Sequence, residues 1–211
     1  MSVTVHVFTK SGKLTPYRTK ISQTVQTAVS QTKQYIPIGN IDIALYDNPR
    51  GAIPETGEGG WTENQNLIFI SLNPEFKHFE KTLAYYLPRV VAHELHHAAR
   101  WNTVERDGSL GEALISEGLA AHFEETVSNG KPSLWARAIE GEQLQSLIPR
   151  AKSDFTNKTY NHRAWFFGKG DPTIPRWAGY SIGYKLVSDY ITKHPKETAA
   201  TLYNKPAKDF V

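Results

Sequence analysis

The chain contains no cysteine among its 211 residues. Disulfides and thiolate metal sites are thereby excluded, and any tightly held metal must sit on imidazole and carboxylate groups. No stretch of 18 consecutive apolar residues occurs, so a membrane-spanning helix is not expected. The net charge of +3 is mild and the Lys and Arg residues are scattered, so nucleic acid is not an expected partner. The first ten residues alternate polar and apolar side chains instead of forming the apolar run of a signal peptide; a cytoplasmic location is expected, with non-classical export left open. No internal repeat, low-complexity tract or linker is present, and one domain over residues 1–211 is expected, with a monomer as the default state.

What the chain does have is a change of periodicity halfway along. Val3, Val5 and Val7 alternate with polar residues, as in a strand, and Ile41 to Tyr46 repeats the pattern. Between them, Thr15-Pro16 opens a helix whose Tyr17, Ile21, Val25 and Val29 recur every four residues and which must stop before Pro37. Residues 51–60 read as a glycine-rich turn leading to a third strand, Asn66 to Leu72. A short helix from Pro74 to about Tyr86 precedes another that has Pro88 in its first turn and Val91, Leu95 and Ala98 as its apolar stripe. After a loop over 102–109, helices are expected at 110–128, 133–140, 142–151 and 177–192, with 157–176 irregular. The expected class is α+β: a small mixed sheet packed on helices in a lobe of about 1–101, then a mostly helical lobe of about 102–211.

The junction of the two halves carries the chemistry. Residues 93–97 read His93-Glu94-Leu95-His96-His97. On a helix, His93 and His97 lie one turn apart on one face and can reach the same metal, while Glu94 sits about 100° away, placed to act on a water as a base. A catalytic zinc site needs a third protein ligand beside the open position. A third His six residues after the second is absent, because that place is Thr103. Glu117, 20 residues after His97, would return opposite the two imidazoles on a reversing helix, and Gly118 and Ala121 are small enough for close helix approach. Glu112 and His122 on the same helix are rivals, but each is turned about 140° from Glu117.

With these residues the chain resembles the gluzincin class of zinc metalloproteases. More narrowly, it resembles a family of small, mostly uncharacterised bacterial zinc-dependent proteases. The resemblance rests on Gly59-Gly60-Trp61-Thr62, Val91-Ala92-His93-Glu94-Leu95-His96-His97, Ser116-Glu117-Gly118-Leu119-Ala120 and Gly179-Tyr180-Ser181-Ile182-Gly183-Tyr184, and spans roughly residues 40–193. It implies a zincin-like fold, Zn2+ as cofactor, and a peptide or protein substrate. The implied reaction is peptide hydrolysis by a zinc-activated water, with Glu94 as general base and His93, His97 and Glu117 as ligands. One departure stands out: thermolysin-like members carry an Asp four residues after the ligand Glu, and here that place is Ala121. Asp107, Glu105 and Glu124 are candidates to support a ligand histidine instead.

The developing oxyanion needs a further donor, for which Tyr180 is the first choice, Tyr184 the second, and His162 and Arg176 weaker ones. Substrate contacts are expected from Tyr184 and from the strand residues Leu67, Ile68, Phe69 and Ile70, whose edge would add a peptide as an extra strand. His96 is expected to face away from the metal, and His78 and His194 to lie on the surface. The competing function is a catalytically silent zinc-binding regulatory or binding module on the same scaffold; an intact Glu94 argues against it.

Overall fold

Alternating apolar residues build a four-stranded sheet in the first half of the chain. Its strands are β1 (Val3–Val7), β2 (Ile41–Asp47), β3 (Glu58–Asn64) and β4 (Leu67–Leu72), in the spatial order β1-β2-β4-β3. The structure is a computed structural model that describes residues 2–101, 103–104 and 106–211. β1, β2 and β4 run parallel, and β3 closes the sheet antiparallel to β4. Ile43, Leu45, Ile68, Ile70 and Leu72 point to one face and are completely buried there. The fold is α+β, and the chain divides into two units, residues 1–102 and 103–211.

In the first unit the buried sheet face is covered by α1 (Arg18–Thr32) and α3 (Leu87–Trp101). α1 buries Ile21, Val25 and Val29 at the four-residue spacing of an amphipathic helix. α3 is buried on nearly every side, its His93, Glu94 and His96 included. A short α2 (Phe79–Lys81) and a π-helical turn over Thr82–Tyr86 lead into α3, where a plain helix was expected. Pro88 accounts for the widening: it has no N–H for the carbonyl four residues back, and its ring crowds that carbonyl.

Two expectations for this unit need correction. The turn expected over 51–60 ends earlier, because residues 58–60 already belong to the strand β3. And β4 has no free edge, because β2 bonds one side of it and β3 the other. Leu67, Ile68, Phe69 and Ile70 therefore cannot receive a peptide through their main chain; the edges of the sheet are β1 and β3.

The second unit packs α4 (Leu110–Ser128), α5 (Gly141–Ser153) and α6 (His162–Phe167) around α7 (Ala178–Lys193). Ser109 caps α4 by accepting from the Glu112 N–H at 3.2 Å. Two glycines let α4 and α7 touch through their backbones: a Cβ on Gly118 would lie 2.3 Å from the Gly183 carbonyl oxygen, and one on Gly183 would lie 2.0 Å from that of Leu114. The close approach permitted by Gly118 is thus to α7. The expected helix at 133–140 is absent; that segment is a series of turns tied by Ser181, whose hydroxyl accepts from the Ile139 N–H and donates to the Trp135 carbonyl. Conversely, α6 lies inside the stretch expected to be irregular, opened by an Asn161 cap and closed by left-handed Gly168.

Candidate metal centre

His93 and His97 emerge one turn apart from α3, their ring centroids 4.8 Å apart and their planes at 75°. His93 is 6% exposed and Glu94 5%. An ionised carboxylate so deep in the protein costs several kcal/mol unless it receives hydrogen bonds, and β3 provides one. The Thr62 hydroxyl lies 2.7 Å from Glu94 Oε2 and 3.0 Å from the Glu94 carbonyl oxygen. Having a single proton, it donates to one of these acceptors at a time. His96, between the two candidate ligands, is completely buried.

Glu117 lies on α4, whose position relative to α7 is fixed by the Gly118–Gly183 contact one residue further on. Leu110 and Gly111 donate their N–H groups to the carbonyls of Asn157 and Phe155, at 3.0 and 2.8 Å, and so pin the segment leading to Tyr160 against the start of this helix. Tyr160 Oη and His162 Nδ1 are 3.0 Å apart. Partial burial, with the negative field of Glu117 added, pushes the Tyr160 hydroxyl up to about 12, so it remains a proton donor at neutral pH. The His162 imidazole stacks on Phe166 with centroids 4.5 Å apart, and the loss of water on that side lowers its pKa against the opposing pull of Glu117. No motif or periodicity marks Tyr160 in the sequence. Its signal was the short helix beside it, bounded by Asn161 and Gly168.

One ligand atom from each of His93, His97 and Glu117 lies within 4.8 Å of the others; among the described residues this is the group able to hold a metal ion. Two imidazoles and a carboxylate are a donor set that zinc accepts, and donors of one tetrahedral zinc lie roughly 3.4 Å apart. The rivals are otherwise engaged. The His122 Nε2 faces the Tyr184 carbonyl oxygen at 3.1 Å, and Glu112 is buried in the first turn of α4.

The remaining sequence candidates have the following surroundings. Tyr180 presents its ring to Phe166 edge-on at 5.0 Å and tilts over Trp135 at 6.4 Å. Tyr184 stacks on His122 at 4.0 Å and donates to Glu125 Oε2 at 3.3 Å, which together with burial raises its pKa. The Arg176 guanidinium lies 3.8 Å from the Trp177 ring centroid. Asp107 accepts from the Ser109 N–H, and Glu124 is buried on α4, while Glu105 lies outside the described residues. His78 and His194 are exposed.

No helix among the described residues is long and apolar enough to cross a membrane. No solved structure matches the chain. An uncharacterized protein of Bacillus subtilis, YjaZ, is 30% identical over 129 residues, which are 58% of this chain and 48% of that protein. A second from the same organism, the uncharacterized YjfC, is 23% identical over 196 residues, 82% of this chain and 64% of its own length. The chain thus spans about half to two thirds of these relatives. From residue 21 to its last residue, 211, it matches the model of a family described as predicted Zn-dependent protease (DUF2268), and it belongs to that family.

Proposed function

We propose that the protein is a zinc-dependent peptidase of the gluzincin kind, with His93, His97 and Glu117 holding the metal and Glu94 acting as general base. The observation that carries this reading is the convergence of two imidazoles and one carboxylate next to the buried Glu94, whose carboxylate takes the Thr62 hydroxyl bond and is not needed as a ligand in that set. Bound by these three side chains, zinc would polarise the scissile carbonyl and bring a water toward ionisation near neutral pH.

The chain's own groups do the rest. Glu94 Oε1 or Oε2 takes the proton of the attacking water and delivers it to the leaving amine nitrogen. Tyr160, backed by His162, donates a hydrogen bond where negative charge develops on the carbonyl oxygen. The field of Glu117 at both groups supports this placement. β3 is the antiparallel edge of the sheet and offers main-chain groups along which an extended peptide is aligned.

The test uses zinc-loaded protein and a peptide library read by mass spectrometry. Wild type is expected to cleave it, and Glu94→Gln to keep its zinc and lose about 10²–10⁴-fold in rate. Equal cleavage by Glu94→Gln refutes the assigned base. Zinc without cleavage in the wild type identifies a metal-binding module instead.

A further inference from the structure

Gly60 and Thr62 lie two residues apart on β3 and so share one face of the strand, while Trp61 between them is 62% exposed on the other. That shared face meets the Glu94 side chain at both of its oxygens. Thr62 Oγ1 is 2.7 Å from Oε2, and a Cβ built on Gly60 would lie 2.4 Å from Oε1, 2.6 Å from Cγ and 2.7 Å from Cδ. The space that a side chain at position 60 would fill is thus occupied by the carboxylate. A strand of sequence Glu58-Gly59-Gly60-Trp61-Thr62-Glu63-Asn64 has little intrinsic tendency to form, and glycine weakens it further. Stability alone gives no reason for Gly60, whereas room for Glu94 does.

We propose that Gly60 and Thr62 form a cradle that fixes the carboxylate of Glu94 in its working position, Thr62 by a hydrogen bond and Gly60 by lacking a side chain. Both are positioning residues, and the inference rests on the reading of Glu94 as the base. A hydroxyl suits this place because it donates and accepts. Thr62 can stay bonded to the carboxyl group while that group holds a proton, its own hydrogen turned to the Glu94 carbonyl oxygen 3.0 Å away. Valine, of the same shape, can do neither.

Three variants test the cradle: Thr62→Val, Thr62→Ser and Gly60→Ala. Thr62→Val is expected to lower kcat about 10-fold or more with KM within about twofold and zinc content unchanged, as fits the loss of one hydrogen bond to a charged group. Thr62→Ser restores kcat to within about threefold. Gly60→Ala keeps its zinc and loses about 10²-fold in kcat, because its methyl group displaces the end of a flexible side chain and leaves the backbone in place. Unchanged kcat in both Thr62→Val and Gly60→Ala overturns the proposal.

A second readout needs no activity. In urea unfolding of metal-stripped protein, Thr62→Val is expected to lower the midpoint in the wild-type background and to lower it distinctly less in a Glu94→Ala background, where the hydroxyl keeps only the main-chain carbonyl of residue 94. Equal shifts in the two backgrounds overturn the cradle. Coupled shifts in a protein whose wild type cleaves nothing support the cradle and overturn the reading of Glu94 as base.

Discussion

Replacing Gly183 by alanine sets two effects against each other. Alanine is the better helix former by about 1 kcal/mol, so a substitution deep inside α7 would stabilise the protein if only the helix mattered. The added Cβ, however, would lie 2.0 Å from the Leu114 carbonyl oxygen and 2.8 Å from its carbon. Both are backbone atoms of α4 and cannot rotate away. An ordinary carbon–oxygen contact is about 3.5 Å, so the two helices must part by roughly 1.5 Å along the whole crossing. Overpacking of this kind costs about 1–3 kcal/mol, at the upper end where backbone must move. With the propensity gain subtracted, the net loss is about 2 kcal/mol, or about 4–8 °C in Tm for a chain of this length. Calorimetry of metal-stripped Gly183→Ala checks the figure, with Gly39→Ala, which meets nothing within 4 Å, as the control. Because Glu117 precedes Gly118 at the same crossing, zinc affinity should fall along with Tm. A Gly183→Ala protein that melts at or above wild type refutes the backbone-contact account.

Other consequences follow from individual side chains. Tyr160→Phe should cost about 10²–10³-fold in kcat and Tyr180→Phe less than about threefold, and the reverse order would move the oxyanion donor to Tyr180. His122 has its pKa lowered by burial, with the Tyr184 carbonyl only partly opposing, so the folded protein favours the neutral ring. Its contribution is complete above its unfolded pKa of about 6.5 and is lost as pH falls from there through the lower folded value. Tm should thus drop between pH 7 and pH 5, and His122→Gln should flatten that slope; an unaltered slope would contradict the assignment. Tyr160 shows the opposite sense: its pKa is raised to about 12, so stability is lost as pH rises from about 10 through about 12, and Tyr160→Phe should remove that loss in alkaline melts.

The parts of the protein that were legible in its sequence are those whose reason for being is local. α4 could be read from Leu110 to Ser128 because its cap and its apolar residues act within a few turns. The His93/His97 pair was legible because helical spacing alone puts both rings on one face. β3 was not legible, for a non-local reason. Its glycines look like a turn, and only the carboxylate of Glu94, 34 residues after Gly60, explains why one of them must be glycine. With residues 51–60 read as a turn and no strand seen between them and Asn66, β4 becomes the apparent edge and so the expected substrate strand. Tyr160 was hidden in the same way. It stands in a loop with no periodicity, and its relation to Glu117 arises from main-chain bonds between the start of α4 and Phe155 and Asn157.

The account stands or falls on whether three side chains share one ion. Metal-stripped protein dialysed against limiting zinc and weighed by mass spectrometry should carry one zinc per chain in the wild type and in Glu94→Gln, and close to none in His93→Ala, His97→Ala and Glu117→Ala. Full zinc retained by Glu117→Ala would contradict it.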